Sequence, residues 1–303
     1  MAKPSAMSIA RLLAKISVLF CIGCTTLSAP SGGVPIRVAA EPGSTKVVEV
    51  PLERYVTGVL AGELYQDWPI EALKAQAVAA RTYALYRKKN PRSDGVDLFA
   101  DQNDQVFSKR TEHSPEVIEA VKETTGEVLV QNGEPFQAFF HSCCGGVIER
   151  ADRVWPGLDS PPPTTTHKDP FCENCPSRHW DLEIERSELT ELMEKGGISL
   201  DSDWSLEVAE RDESGRVVRL LFRSSSGKNE ISGTDFRRLV GNGRLKSTLF
   251  EVTELGESLI FSGKGFGHGV GLCQWGAKGM AEQGNNYRKI LEFYYPGSEL
   301  IIR

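Results

Sequence analysis

From Pro51 to Lys89 the chain reads PLERYVTGVLAGELYQDWPIEALKAQAVAARTYALYRKK, two helical segments joined by a turn at Asp67-Trp68-Pro69. This stretch constrains the fold most, because each segment repeats its apolar residues at helical spacing and must bury that stripe. Pro51 suits the first turn of a helix, where its missing N–H has no partner to lose. Leu52, Tyr55, Val56, Val59, Leu60 and Glu63 then share one face. A carboxyl group on a buried stripe resists ionisation, and a carboxyl that stays protonated is what a general acid must offer. The same spacing also fits a helix-end carboxylate that reaches water. In the second segment Asp67 or Trp68 is expected at the cap. Ile70, Leu73, Ala77, Val78, Ala84 and Leu85 supply its buried face, and Ala72, Ala75, Ala77, Ala79 and Ala80 make one side thin enough for close helix contact. Arg81 falls on the buried stripe, where an unpaired cation is costly. Glu63 is its expected partner, either in a plain structural ion pair or within a site.

The remainder alternates helical and strand-like segments without a regular βαβ rhythm, so the expected class is α+β, a mixed sheet with packed helices. Further helices are expected over 114–124, 270–283 and 287–295. Strands are expected at Val47–Val50, Val128–Val130, Phe136–Phe140, 204–210, 216–224 and 248–262, with a turn at Asn132-Gly133. The 303 residues suffice for a substantial core, and the net charge of −6 argues against nucleic acid as a partner.

The N-terminus poses a separate problem. Lys3, Arg11 and Lys15 precede a short apolar run, Ile16 to Ile22, and no acidic residue occurs before Glu41. That layout predicts a secretory signal over residues 1–23. Gly23-Cys24 predicts lipidation at Cys24, although Cys21 stands where a lipoprotein signal usually has Leu. An uncleaved anchor, or a cut a few residues later, is the alternative. Residues 24–45, rich in Ser, Pro, Gly and Thr, read as a flexible tether, leaving 46–303 as the folded domain. The chain is thus expected in the cell envelope, touching the membrane only through a lipid on Cys24.

Two further blocks carry chemistry. His141-Ser142-Cys143-Cys144-Gly145-Gly146 is followed by Cys172-Glu173-Asn174-Cys175. A Cys/His nucleophile pair lacks an orienting Asn or Asp. Export favours disulfides, such as Cys172–Cys175 or Cys144–Cys172. A structural zinc site of His141, Cys144, Cys172 and Cys175 has suitable ligand types and a CxxC half-site. Loss of Cys21 and lipidation of Cys24 would leave five cysteines, with Cys273 the fifth, so at least one cannot pair within the chain. The second block, Gly263 to Gly271, holds five glycines in nine residues. It lacks the context of a dinucleotide fingerprint and reads either as backbone opened to a ligand or as a tight turn.

Four ordered blocks resemble the SpoIID/LytB family, stage II sporulation protein D and the LytB-type amidase enhancers. They are the helix pair, FFHSCCGGVIERADRVW at 139–155, ISGTDFRRLVG at 231–241, and GKGFGHGVGLCQWGAKGMAEQGNNYRKILEFYYPG at 263–297. The likeness spans residues 46 to 300. It implies a lytic transglycosylase that cuts the MurNAc–GlcNAc bonds of peptidoglycan glycan strands, preferably peptide-free, and leaves 1,6-anhydroMurNAc ends. Such chemistry needs one acid/base and no cofactor. The resemblance maps the catalytic glutamate onto Glu63, in Val59-Leu60-Ala61-Gly62-Glu63, and the family arginine onto Arg81. It implies an open cleft lined by His141, Gly267, His268, Gly269, Gln274 and Trp275. Here Ala61-Gly62 replaces the usual Ala-Ala, and Cys143 stands where the family has Thr. Non-catalytic enhancers share these blocks, so a wall-binding partner of a cell-wall amidase is the alternative implied.

Overall fold

The helical hairpin forms where the periodicity places it. The first helix, α1, is Leu52–Glu63 and the second, α2, is Ile70–Lys89. Pro69 rather than Asp67 or Trp68 caps α2, since a residue preceding proline is pushed out of helical backbone. α2 is buried on two sides. Leu73, Ala77, Ala80 and Tyr83 join Tyr55, Val59 and Leu60 of α1 and Val117 of α3 (Pro115–Glu123) in one core. Ala72, Ala75, Val78 and Ala79 face a second core with Leu272, Met280, Ile290 and Tyr294. Small side chains on both flanks let two layers approach one helix, which accounts for its run of alanines. A third core, around Trp204, Phe222, Phe236 and Phe261, lies within residues 180–261.

The computed structural model describes residues 33–158 and 162–303. The signal at 1–23 and the lipidation site Cys24 lie outside the described residues. Part of the expected tether is a strand: Pro35–Ala39 pairs antiparallel with Val47–Pro51. Its alternating Ile36 and Val38 point into the core, and Arg37 bonds Asp97 at 2.6 Å. That alternation was masked by the Ser, Pro and Gly around it. No helix among the described residues is long and apolar enough to cross a membrane.

The class is α+β, but the described strands form six small sheets of two or three strands instead of one mixed sheet. The expected strand over Phe136–Phe140 shrinks to Phe140–His141, which pairs in parallel with Leu272–Cys273. The 248–262 segment is a hairpin, Phe250–Leu255 with Ser258–Gly263, turning at Gly256. Trp180–Glu185 completes its sheet. The Asn132-Gly133 turn forms as expected, with φ of 54° and 79°. For the site, the decisive feature is the helix Gln274–Glu282, which follows Leu272–Cys273 and packs against α2.

Candidate active site

Glu63 ends α1, and its neighbours are neutral. Its Oε1 accepts the Val106 N–H at 2.7 Å. Burial raises its pKa above the ordinary 4.5, while that N–H and the Gln274 carboxamide act in the opposite direction and do not cancel the effect. Gly62 makes the arrangement possible. A Cβ there would lie 2.3 Å from the Val106 oxygen, so only a glycine lets residues 106–108 lie against the end of α1. Gln274, only 5% exposed, stands beside Glu63 with its Nε2 buried and unpartnered. An orphan donor at that depth is costly and marks a position where a ligand oxygen can bind.

Arg81 is elsewhere. Its Nε and Nη2 bind the two oxygens of Glu53 at 2.9 and 2.7 Å, and its Nη1 donates to the Glu127 carbonyl at 3.0 Å. It is fully buried. The expected pairing with Glu63 fails because the hairpin is antiparallel: Glu53 and Arg81 lie equally far from the turn, whereas Glu63 adjoins it. With its donors committed inside the protein, Arg81 joins α1, α2 and the strand Glu127–Gln131, and it is not placed to touch a saccharide.

The histidines and glycines expected to line the cleft pack on each other. His141 is buried, with Nδ1 on the Val270 carbonyl at 3.0 Å. His268 Nδ1 accepts from Val270 N at 3.0 Å, and its Nε2 donates to the Phe140 carbonyl at 3.1 Å. Their rings sit 5.2 Å apart. A Cβ on Gly267 would meet His141 at 2.7 Å, and one on Gly269 would meet the Arg216 guanidinium at 2.2 Å. The Gly267 N–H is already given to the Lys246 carbonyl. These glycines admit neighbouring chain, so this part of the block is a packed turn.

Burial holds His141 at about 4 and His268 at about 3, the latter aided by Arg237. Depressed histidines stabilise the fold fully above their unfolded value of about 6.5, and that contribution is lost as pH falls through the folded values. Proton NMR at about pH 5 should therefore find both rings neutral, where an ordinary histidine is charged. Two charged rings at that pH in the folded protein would contradict their packing.

The five cysteines described are free and buried, so neither expected disulfide is present. Cys144, Asp169, Cys172 and Cys273 bring one ligand atom each within 4.8 Å of one another. Cys144 Sγ lies 3.1 Å from Asp169 Oδ2 and 3.4 Å from Cys172 Sγ. Backbone N–H groups of Cys144 and Gly276 point at Cys273 Sγ, and Arg178 Nη1 is 3.6 Å from Cys172 Sγ. Burial and the neighbouring thiols push the Cys273 thiol up. Burial and Cys144 push Asp169 up to about 7. The set can hold a metal ion, but it is not the one expected. His141 and Cys175 lie at its edge: His141 has Nδ1 on the Val270 carbonyl and also contacts Cys144, and Cys175 lies against Cys143, Cys172 and Cys144.

Trp275 does line a cleft, one that sequence reasoning only half identified. Tyr65, Trp68 and Lys278 share it, and Trp68 meets the Trp275 ring edge-on at 5.2 Å. Val106 and Asp169 were missed for different reasons: a backbone N–H leaves no residue signature, and Asp169 lies outside any CxxC spacing.

An α+β scaffold that holds the Glu63 carboxyl at a helix end among neutral groups, with a thiol-rich cluster elsewhere in the fold, defines the class of site. The family described as Stage II sporulation protein (SpoIID) matches residues 40–131, and a Domain of unknown function (DUF8618) matches 173–271. The chain is 31% identical to stage II sporulation protein D of Bacillus amyloliquefaciens, covering 88% of this chain and 79% of that protein. It is 34% identical to an uncharacterized protein of Brachyspira hyodysenteriae, over 84% of this chain and 68% of the relative. It is also 30% identical to the amidase enhancer of Bacillus subtilis, over 80% of this chain but 40% of that protein. The chain belongs to the SpoIID family.

Proposed function

We propose that this protein is a lytic transglycosylase of peptidoglycan glycan strands and that Glu63 is its only acid/base. The observation that carries this reading is the state of Glu63: a largely enclosed carboxyl with raised pKa, held by the Val106 N–H, with the Gln274 side chain beside it. Hydrolytic glycosidases usually work with two carboxyl groups. A lytic reaction needs one. With Oε1 occupied by the Val106 N–H, Oε2 carries the proton and gives it to the glycosidic oxygen as the bond to MurNAc C1 breaks. The MurNAc C6 hydroxyl attacks C1, and Glu63 takes back the hydroxyl proton. No water is consumed, and the acid is regenerated. Gln274 Nε2 donates to the sugar beside the breaking bond.

Export through residues 1–23 and a lipid on Cys24 would bring the chain to this polymer, and a cell-wall amidase that strips peptides would supply it. Likeness to an amidase enhancer supports a second reading, a wall-binding protein without cleavage of its own. Peptide-free strands incubated with this protein alone separate the two. Shortened strands support the enzyme; intact strands, with faster peptide release once an amidase is added, support the enhancer.

We assign a structural zinc to Cys144, Asp169, Cys172 and Cys273. Zinc–sulfur bonds of about 2.3 Å place tetrahedral sulfurs about 3.8 Å apart, near the 3.4 Å between Cys144 and Cys172 and inside the 4.8 Å that spans the whole set. Metal analysis of protein purified without chelator should find about one equivalent, and chelation should lower the melting temperature. Absence of metal together with an unchanged melt would remove the assignment.

A further inference from the structure

We propose that residues 104–108 form a strap that positions the acid, with Gln105 and Phe107 acting on Glu63 through the Val106 N–H. This rests on the reading of Glu63 as the acid/base. The strap runs beside α1 and is tied to it on either side of Val106. Before it, the Tyr55 hydroxyl donates to Gln105 Oε1 at 2.9 Å. After it, the Phe107 ring stacks on Tyr55, with centroids 5.3 Å apart and planes 17° from parallel. The Ser108 N–H then donates to the Gly58 carbonyl at 3.0 Å. Between these attachments the Val106 N–H reaches Glu63 Oε1. Helix α1 is cut away to receive the strap. Gly58 and Gly62, four residues apart, share one face, and a Cβ on Gly58 would lie 2.3 Å from the Phe107 ring. The start of the strap is pinned as well. Asp104 accepts from the Tyr83 hydroxyl at 2.7 Å, from Arg92 at 2.7 Å and from the Phe99 N–H at 2.8 Å.

A single N–H fixes a carboxyl only if the peptide carrying it cannot move. The Val106 side chain makes no part of that bond, so its neighbours must hold the backbone. With Oε1 held, the carboxyl is kept from turning about its last torsion, which is broad and two-fold when free. The proton then stays on Oε2. A misplacement of about 1 Å can cost about 100-fold in rate. Charge does not do this work. Among the described residues no charged side chain contributes to the state of Glu63, which meets burial, the Val106 N–H and Gln274. Tyr55 is the titratable group of α1 that interacts with it, with Tyr83 of α2 and Asp104 of the strap behind. Burial and Asp104 keep the Tyr55 phenol neutral. A donated N–H favours the carboxylate, so the strap opposes burial and limits how tightly Glu63 keeps its proton.

The test reads Glu63 by carbon NMR of the full chain labelled at its glutamate carboxyls, with the signal assigned through Glu63→Gln. Strand cleavage is measured separately. Val106→Pro removes the N–H, so the Glu63 titration should move upward and kcat should fall by up to about 100-fold, with KM little changed. Phe107→Ala should shift the titration in the same direction and lower kcat. It should change neither further in the Val106→Pro protein, because it acts through that N–H. Phe107→Tyr keeps the ring and should restore both. A folded Phe107→Ala protein with the parent's titration and kcat would overturn the strap, as would equal effects of Phe107→Ala in both backgrounds. If Val106→Pro does not fold, Phe107→Ala against Phe107→Tyr decides the matter. A lowered melting temperature with titration and kcat kept makes Phe107 a packing residue only. The carboxyl titration needs no turnover, so the two readings separate. A responding titration in a protein that cuts no strands keeps the strap and removes the transglycosylase. Strands cut by Phe107→Ala at the parent's rate, with the parent's titration, do the reverse.

Discussion

Glu63→Gln should abolish strand cleavage, by about 10⁴-fold, the upper end of what one general acid/base contributes, because this residue serves both proton transfers. Glutamine keeps the shape and can still accept the Val106 N–H, so the fold survives. The sign of the pH dependence follows from the raised pKa. Between the unfolded value and the raised one, the folded state binds more protons than the unfolded state, so stability falls as pH rises through that window. Glu63→Gln removes this slope and should melt no lower than the parent at neutral pH. Activity of the parent should likewise fall as pH climbs through the raised pKa, when the acid is lost. Strand-shortening rates across pH and paired thermal melts check both statements. A fully active Glu63→Gln protein would end the assignment.

Arg81→Met should destabilise the protein by about 3–5 kcal/mol, the usual result of stranding one partner of a buried ion pair. Glu53, the Glu127 carbonyl and Thr124 would all lose their donor. Adding Glu53→Leu to Arg81→Met should recover much of the loss, since apolar replacement of both partners is often tolerated. Urea denaturation reads each step. If Arg81→Met kept its stability while losing cleavage, Arg81 would belong to the chemistry after all.

What the sequence disclosed about the site depended on whether a signal was local. Glu63 was legible because helical spacing alone puts it on a buried stripe. Arg81 was legible as buried, but its partner was not. Stripe counting ignores that an antiparallel hairpin matches residues by distance from the turn, which selects Glu53. The Gly263–Gly271 block was legible as close-approach backbone. Whether a ligand or the chain itself approaches depends on His141 and Arg216, which only folding brings there. The CxxC spacing advertised Cys172 and Cys175, yet the clustered groups come from three separated segments and include Asp169 and Cys273. Gly62 looked like a minor substitution. In the fold it is the opening through which Val106 reaches the acid.

The central claim is that one buried glutamic acid cuts glycan strands by internal attack of a sugar hydroxyl. Mass spectrometry of the ends left on peptide-free strands tests it most directly. The account predicts 1,6-anhydroMurNAc ends, lighter than hydrolytic ends by one water, produced by the parent protein and absent with Glu63→Gln. Reducing MurNAc ends, or strands left uncut by the parent protein, would contradict it.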